Sequence, residues 1–209
     1  MNQKKVPQST ISRLFAYLRE LKMLSSLNMR TISSSEMGER LNLSDTQIRK
    51  DLGYFGNFGT SGAGYNIEEL KVALEKILGK DKTWNVCIVG IGHLGSALLV
   101  YPGFKNHNLN IVAAFDSDSK KIGKNIDNII VEPIEQLKPS AHKKNIFIAV
   151  ITTPAMAAQK ITNDLIDSGI ECIMNFAPIK LDVPEHVKVT NVDLCHDLET
   201  LTYFAGSGK

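Results

Sequence analysis

A glycine-rich turn between a short apolar strand and a helix is the feature that most restricts how this chain can fold. Residues 85–89 are mostly apolar, the pattern G-x-G-x-x-G follows directly from Gly90 to Gly95, and residues 96–100 are helix-like. The first glycine permits a sharp turn, the second lets the backbone approach a pyrophosphate, and the third lets helix and strand pack closely. The pattern therefore predicts the opening strand, turn and helix of a dinucleotide-binding fold.

An acidic residue ends the next apolar run at the distance this fold requires. Residues 110–115 are mostly apolar, and Asp116 follows them, 21 residues after Gly95. An acidic side chain at this point holds the ribose hydroxyls and disfavours a 2′-phosphate, so we predict NAD(H) rather than NADP(H). The alternative is a related domain that has lost its ligand.

Two further apolar runs end in turns that could line the same crevice. Residues 146–150 lead to Thr152–Pro154, and residues 171–175 lead to Phe176–Pro178. Ligands of open α/β sheets bind at the carboxyl ends of strands, although plain turns would have the same pattern. The residues predicted to bind NADH or NAD+ are Gly90, Ile91, Gly92, His93, Leu94, Gly95, Asp116, Ser117, Lys121, Thr152, Thr153, Pro154, Asn175, Phe176, Ala177 and Pro178.

Two helix starts lie close together in the first half of the chain. Ser33 with Glu36, and Ser44 with Gln47, have the spacing of capping boxes, in which side chains satisfy the free amides at a helix start. The connection between the two helices is tight. A short helix, a turn and a second helix indicate a helix-turn-helix.

The second of these helices carries basic side chains on one face. Ile48, Leu52 and Phe55 are spaced i, i+4 and i+7 and are predicted to face the core, whereas Arg49 and Lys50 point away. Arginine can bind a guanine edge with two hydrogen bonds, and both residue types neutralise phosphates. The pattern is typical of a DNA-reading helix. The alternative is a helical hairpin whose polar face is simply exposed to solvent.

The segment after this helix is typical of a wing. Residues 55–65 contain four glycines and three aromatic residues, which suits a tight β-hairpin whose backbone approaches DNA. Residues 1–83 hold 13 Lys and Arg against 9 Asp and Glu, and the rest hold 11 against 13, so the positive excess lies beside these motifs. The residues predicted to bind DNA are Ser44, Thr46, Gln47, Arg49, Lys50, Tyr54, Asn57, Phe58, Gly59, Gly62 and Gly64.

Composition excludes several other classes of protein. Hydrophobic residues make up 43% and charged residues 22%, which is ordinary globular usage. No apolar run reaches the ~18 residues of a membrane span, and the chain start lacks the apolar stretch of a signal peptide. The three cysteines form no C-x-x-C pair. We therefore expect a cytoplasmic protein with no membrane partner and no metal site.

No set of residues suited to hydride transfer accompanies the predicted cofactor site. Tyr101 and Lys105 have the spacing Y-x-x-x-K, but Pro102 and Gly103 lie between them and would interrupt a helix. None of the five histidines has a carboxylate at a spacing that would indicate an acid–base pair. We predict no catalytic residues, no small-molecule substrate that is turned over, and no enzyme activity.

Eight stretches along nearly the whole chain match the pattern of one family: residues 6–7, 11–14, 47–52, 54–56, 90–95, 101–104, 175–178 and 191–193. On these, the sequence resembles Rex, the redox-sensing transcriptional repressors of Gram-positive bacteria. The resemblance implies a homodimer that binds palindromic operator DNA when NADH is low and leaves it when NADH rises, controlling fermentation and anaerobic respiration genes.

The same resemblance predicts an α/β chain in three parts. A winged helix-turn-helix DNA-binding domain would span residues 1–82, and a Rossmann-type NAD(H)-binding domain residues 83–191. Residues 192–209 would form a domain-swapped dimerisation helix that lies across the partner subunit. Within it, Leu194, Leu198 and Leu201 share one apolar stripe.

The resemblance also implies a switch that involves Asp193. Tyr101 resembles the residue that pairs with the partner's Asp193 when NADH is bound, and Arg19 resembles the alternative partner in the DNA-binding state. Reduced nicotinamide is neutral and oxidised nicotinamide is cationic. A carboxylate contact near the ring could therefore convert one charge into a domain rotation.

Two other functions remain open from the sequence alone. One is an NAD-dependent oxidoreductase with an accessory DNA-binding domain, which a proton-relay residue beside the nicotinamide would favour. The other is a DNA-binding regulator that responds to another nucleotide or to NADP(H), which Asp116 disfavours.

The Arg49→Ala variant should lose operator affinity and keep NADH binding, because Arg49 is assigned to DNA and lies outside the dinucleotide motif. Titration of an operator duplex at one fixed salt concentration measures the first effect, since DNA affinity depends on salt. Unchanged operator affinity would contradict the assignment of the reading helix.

Overall fold

The computed structural model describes residues 6–60 and 63–206, and the chain divides into two compact units, Met1–Lys82 and Thr83–Lys209. The junction lies in a polar stretch that follows the last helix of the first unit. Each unit encloses buried apolar residues of its own.

The described part of the first unit combines helices with a small antiparallel sheet. Its elements are α1 (Gln8–Ser26), β1 (Thr31–Ile32), α2 (Ser34–Leu41), α3 (Asp45–Leu52), β2 (Gly59–Thr60), β3 (Gly64–Asn66) and α4 (Ile67–Ile77). The strand order is β1-β3-β2, and β2 pairs with β3 as a hairpin. A helix-turn-helix from α2 and α3, followed by this hairpin, is the predicted winged fold.

One face of α1 forms the centre of this unit. Its buried residues recur at spacings of three and four, which places them on the face that meets α3 and α4. They are Thr10, Leu14, Tyr17, Leu18, Leu21 and Leu24. From the sequence, the apolar residues Ile11, Leu14, Phe15, Leu18 and Leu21 at helical spacing predict this helix, which in the structure begins three residues before Ile11 and ends five after Leu21.

The two predicted helix starts differ in the structure. Ser33 and Glu36 form a reciprocal capping box at α2, as predicted. At α3, the Ser44 hydroxyl accepts the Gln47 amide, 3.1 Å away, but the Gln47 side chain does not return to Ser44. The second capping box is therefore only half formed, because the Gln47 carboxamide donates to Asp51 instead.

The second unit is a doubly wound sheet. Its described elements are β4 (Trp84–Val89), α5 (His93–Leu99), β5 (Leu109–Asp116), β6 (Asn125–Ile126), β7 (Ile129–Pro133), α6 (Leu137–Lys143), β8 (Ile146–Ile151), α7 (Ala155–Asp167), β9 (Cys172–Asn175), β10 (Lys188–Asn191) and α8 (Leu194–Gly206). The strand order is β10-β9-β8-β4-β5-β7-β6, parallel except for β6. Strand order reverses between β4 and β8, where ligands of such sheets bind.

Alternating residues of β4 divide the core of this unit into two layers. Cys87 and Val89 belong to the layer beneath α6 and α7. Val86 and Ile88 belong to the opposite layer, which includes Leu99 of α5. Both faces of the sheet are covered, which is why its central strands are mostly apolar.

The predicted strands are β4, β5, β8 and β9, whereas β6, β7, β10 and α6 are additional elements. The helix after the glycine turn begins at His93, three residues before the predicted stretch, because Gly92 already serves as its cap. It ends at Leu99, so Tyr101 and Lys105 do not share a helix. Among the described residues, no helix is both long enough and apolar enough to cross a membrane.

Candidate functional site

The outward face of α3 carries the basic residues that the sequence assigned to it. Arg49 and Lys50 are exposed, whereas Ile48 and Leu52 are buried. Phe55 lies beyond the end of the helix and is half-buried against the same core. The predicted orientation of the helix is confirmed, and contact with DNA stays a prediction.

The Arg49 guanidinium is held by exposed neighbours. Its Nη2 lies 2.7 Å from Asp45 Oδ2, and its Nη1 donates to Ser34 Oγ at 2.8 Å. The hydrogen bond from Arg49 keeps the pKa of the Asp45 carboxyl below its ordinary value. Exposed ion pairs of this kind contribute little to stability, so a phosphate or base can replace Asp45 at low cost.

A groove between α3 and the wing gathers part of the predicted DNA-binding set. The cavity measures about 480 Å³. Five of the predicted residues line it: Arg49, Asn57, Phe58, Gly59 and Gly64. Five others lie on α3 or next to its ends, outside the groove lining: Ser44, Thr46, Gln47, Lys50 and Tyr54. Gly62 lies outside the described residues.

A buried carboxylate fixes α3 against α1. The Asp51 side chain is fully buried and accepts hydrogen bonds from Thr10 (3.0 Å), Arg13 (2.6 and 2.8 Å), Tyr17 (2.7 Å) and Gln47 (2.9 Å). Three of these donors lie on α1. The position of α3 therefore depends on one charge that α1 surrounds with hydrogen-bond donors.

The environment keeps this carboxylate ionised. Burial alone would raise the pKa of Asp51, but the hydrogen bonds, led by those from Arg13 and Tyr17, outweigh it and hold the pKa below its ordinary value. Burial and the bond to Asp51 raise the pKa of the Tyr17 hydroxyl, so Tyr17 stays a donor. The hydrogen bond to Asp51 raises the pKa of Arg13.

In the glycine turn of the second unit, neighbouring atoms approach Gly90 and Gly95 so closely that a side chain at either position would clash. A Cβ on Gly95 would lie 2.1 Å from the Gly90 carbonyl oxygen, and one on Gly90, where φ is +96°, would lie 2.7 Å from Thr153 Cγ2. A Cβ on Gly92 would meet nothing within 4 Å. Gly90 and Gly95 thus build the turn, and Gly92, the second glycine of the pattern, leaves open space where a pyrophosphate could approach the backbone.

Asp116 lies against this turn. Its Oδ2 accepts from the Ile91 amide at 2.6 Å and from Lys121 Nζ at 3.0 Å, and its Oδ1 accepts from the Asp118 amide at 2.8 Å. Burial opposes ionisation, but these bonds hold the pKa of Asp116 below its ordinary value. A carboxylate offers about four acceptor positions, so one remains for a ribose hydroxyl.

The turn after β8 lies beside the glycine turn and contacts it directly. Thr152 Oγ1 donates to the Gly90 carbonyl at 2.6 Å. Thr153 Oγ1 is buried and has no hydrogen-bond partner among the described residues. Since a buried hydroxyl without a partner is costly, Thr153 fits a site that a polar ligand completes. Pro154 is exposed at the start of α7.

The turn after β9 is positioned by Asn175, whose side chain is fully buried. Its Oδ1 accepts the Ala177 amide at 2.9 Å, and its Nδ2 donates to carbonyls of the same turn. Phe176 is half-buried, and its amide donates to the Ile151 carbonyl at 2.9 Å. Asn175 therefore supports the turn internally, and its direct contact with a cofactor stays a prediction.

The remaining predicted cofactor residues differ in exposure. Ser117 follows Asp116 and is exposed, Ala177 is buried, and Pro178 is exposed. His93 and Leu94 open α5 and are exposed at the turn. The structure brings the glycine turn together with Asp116 and Thr152 by hydrogen bonds.

The three predicted switch residues are accessible. Arg19 is exposed on α1, and the Tyr101 ring is 56% exposed and packs edge-on against Phe104. Asp193 precedes α8, and its Oδ1 accepts the His196 amide at 3.0 Å, which caps that helix. Their roles as alternative partners stay predictions.

Sequence reasoning missed the group around Asp51. Thr10 and Tyr17 follow the spacing of the apolar stripe on α1, and polar groups on such a stripe were the available signal. Reasoning also missed Asn191, whose Oδ1 accepts from Asn175 Nδ2 at 3.0 Å. No pattern in the sequence pairs those two asparagines.

Comparison with known proteins gives matches over both units. A family model described as putative DNA-binding protein N-terminus matches residues 5–53, and one described as CoA binding domain matches residues 81–179. The redox-sensing transcriptional repressor Rex of Syntrophomonas wolfei subsp. wolfei is 46% identical over 200 residues, which is 96% of this chain and 95% of that protein.

Solved structures match over nearly the whole chain as well. The crystal structure of RSP in complex with beta-NAD+ and operator DNA has a TM-score of 0.89 at 37% identity, over 98% of this chain and 94% of that one. The structure of RSP with beta-NADH has a TM-score of 0.81 at 35% identity, over 98% and 96% of the two chains.

The Asp51→Asn variant should lose about 3 kcal/mol of unfolding free energy at pH 7. The substitution removes the buried charge that Arg13 pairs with, and the new NH2 group would face hydrogen-bond donors. Since the folded pKa of Asp51 is depressed, its contribution is complete above the unfolded pKa of about 4 and is lost as pH falls through the folded value. Denaturant unfolding across pH 2–7, in steps of ~1 unit, measures the difference.

Asp45→Asn is the matched control, because Asp45 lies on the same helix but its side chain is exposed, and it should change stability far less than Asp51→Asn does. A wild-type advantage over Asp51→Asn that did not shrink in acid would contradict the account of this group.

The Gly92→Ala and Gly95→Ala variants should separate binding from folding. Gly95→Ala forces a Cβ against the Gly90 carbonyl and should cost about 1–3 kcal/mol of stability. Gly92→Ala has room to fold and should keep its melting temperature, while dinucleotide affinity falls about tenfold or more because the methyl group occupies the open approach. Wild-type affinity in Gly92→Ala would place the ligand elsewhere.

Proposed function

The chain belongs to the Rex family of redox-sensing transcriptional repressors, and on this premise we propose that it binds operator DNA and is released from it by NADH. The protein is a transcriptional repressor that responds to the NADH to NAD+ ratio. The controlled genes would be those of fermentation and anaerobic respiration.

The observation that carries the proposal is the presence of two sites in one chain. The first unit has a winged helix-turn-helix with exposed basic residues on its reading helix. The second has a glycine turn with an open approach at Gly92 and an ionised Asp116 beside it. A ligand at the second site can regulate DNA binding only if it prefers one of two states of the dimer.

The DNA-binding role falls to α3 and the wing. In a dimer, Arg49 and Lys50 of each subunit would enter successive major grooves of a palindromic site, with half-sites about one helical turn apart. The glycines at 59 and 64 would let the wing backbone approach the phosphates. The Asp51 group would keep α3 at a fixed angle to α1 during this contact.

The residues of the second unit fit NADH or NAD+. The glycine turn would hold the pyrophosphate, Asp116 one ribose hydroxyl, and the turns at Thr152–Pro154 and Phe176–Pro178 the nicotinamide side. Lys121 pairs with Asp116, but a carboxylate directly at the ribose still disfavours a 2′-phosphate. When bound, the cofactor supplies a ring that is neutral if reduced and cationic if oxidised.

Exposed apolar residues of α8 support a homodimer. The described part of the chain buries no residue of this helix. Its large apolar residues are 56% to 72% exposed: Leu194, Leu198, Leu201, Tyr203 and Phe204. A patch of this kind on an isolated helix marks an interaction site, and we assign its cover to the partner subunit in a domain-swapped arrangement.

The switch is proposed to act at the start of that helix. Asp193 caps α8 through its own carboxylate, so a new partner for this carboxylate would also act on the helix end. Tyr101 of one subunit would hold the partner's Asp193 when NADH is bound, and Arg19 would hold it in the DNA-binding state. NADH binding thereby spoils the spacing of the two reading helices.

The protein is not an enzyme, because its relatives along the full chain are repressors. The dehydrogenase alternative gains nothing from the structure, since Tyr101 and Lys105 lie beyond the end of α5. We propose the cytoplasm as its location, since the operator and the NADH pool are there.

NADH should release the protein from an operator duplex at micromolar levels, whereas NAD+ should leave it bound or tighten binding. Titrations with NADH, NAD+, NADPH and NADP+ at one fixed salt concentration measure this, and coenzyme A serves as a control nucleotide. If DNA binding is indifferent to all of them, the sensor proposal fails. Release by NADPH as strong as by NADH would contradict the role of Asp116.

A Leu198→Asp and Leu201→Asp double variant should become monomeric, because it would bury two charges in the apolar interface that α8 is proposed to form with the partner subunit. Its operator affinity should fall, since half-sites are no longer bound together. Sedimentation measures the oligomeric state, and Glu199→Ala on the same helix is the control. A double variant that stays dimeric would exclude α8 as the interface.

A further inference from the structure

Two asparagines join the ends of neighbouring strands in the second unit. Asn175 ends β9 and Asn191 ends β10, and the two residues are direct partners in the parallel register. The Asn175 Nδ2 donates to the Asn191 Oδ1 at 3.0 Å, and the Asn175 carbonyl accepts the Val192 amide at 2.8 Å. Both bonds tie the end of β9 to the residues just before α8.

The Asn175 amide group has more acceptors than it has hydrogens. Besides Asn191, its Nδ2 faces the Ala177 and Ile179 carbonyls, each at 3.1 Å. An amide nitrogen carries two hydrogens, so three acceptors within 3.1 Å share them. When one acceptor moves away, the two hydrogens are left for the remaining two acceptors.

The acceptors of this one group lie on two separate functional segments. Ala177 belongs to the turn assigned to the nicotinamide side, and its amide also binds Asn175 Oδ1 at 2.9 Å. Asn191 is two residues before Asp193, which caps α8. The Asn175 side chain, which is fully buried, thus makes hydrogen bonds to both segments.

We propose that the hydrogen bond between Asn175 and Asn191 is a positioning contact that transmits cofactor binding at the Phe176–Pro178 turn to the start of α8. The inference rests on the proposed function, since it needs NADH in the crevice and α8 in the dimer interface. Asn191 is assigned no contact with DNA or with the cofactor, so its effect is on the coupling between the two sites.

The physical basis is the sharing of two hydrogens among three acceptors. When a ligand moves the Ala177 carbonyl, Asn175 redistributes its hydrogens, and the bond to Asn191 strengthens or weakens accordingly. Because β10 leads through Val192 into Asp193, the change reaches the carboxylate that the two switch partners are proposed to exchange. The coupling is reciprocal, so a shift of α8 also changes the turn.

The test compares Asn191→Ala with Asn191→Asp in the full-length dimer. Asn191 is exposed, so both variants should fold, and aspartate keeps the acceptor oxygen that alanine removes. Thr190→Ala is the control, because Thr190 is an exposed neighbour on the same strand. For each protein, NADH affinity without DNA and operator affinity with and without saturating NADH are measured, together with oligomeric state.

The readout is the coupling ratio, which is the operator Kd at saturating NADH divided by the Kd without NADH. Asn191→Ala should lower this ratio about fivefold, the size of one neutral hydrogen bond, while NADH affinity and NADH-free operator affinity stay within about twofold. Asn191→Asp and Thr190→Ala should keep the wild-type ratio.

Three results would overturn the inference: an unchanged ratio in Asn191→Ala, an equal loss in Thr190→Ala, or a loss that follows from dissociation of the dimer. A wild-type ratio of one is a different result, because it removes the proposed function itself. The two failures are therefore distinguishable in the same experiment.

Discussion

The approach of Gly95 to the Gly90 carbonyl, which only glycine permits, sets the geometry on which the second unit depends. It holds the start of α5 at the point where strand order reverses, and it leaves the approach at Gly92 open. Asp116 and Thr152 then hydrogen-bond directly to the turn, so three loops from separate strands form one wall. The open approach at Gly92 and the Thr153 hydroxyl, which has no partner among the described residues, fit a dinucleotide bound at these loops.

The first unit depends on a different constraint. A single buried charge, that of Asp51, holds its helices together. Asp51 is costly to bury, and donors from α1 compensate it. The same carboxylate binds the Gln47 side chain within α3. Its bonds from Thr10, Arg13 and Tyr17 tie the inner side of α3 to α1. Its outer side keeps Arg49 and Lys50 available, and the exposed pair of Arg49 with Asp45 is easily exchanged.

Local patterns were enough to predict much of this arrangement. The glycine turn, its flanking strands and the two faces of α3 follow from periodicity and spacing, which adjacent residues determine. The Gln47 side chain was predicted wrongly because its choice depends on a buried charge whose donors lie about 40 residues away. The contact of Asn175 with the cofactor stays a prediction. Its hydrogen bond to Asn191 could not be predicted, because no sequence pattern pairs the two asparagines.

The central claim is that the two sites are coupled, and thermodynamic reciprocity gives its most direct test. A ligand that moves a dimer from 1% to 99% in one state must prefer that state by about 5.5 kcal/mol, so tight NADH binding alone is insufficient. The NADH affinity of the free protein should be compared with that of the operator-bound protein, at one salt concentration. We predict that the operator weakens NADH binding at each of the dimer's two sites, and that the two factors multiply to the factor by which saturating NADH weakens operator binding. Equal NADH affinity in both states would contradict the account.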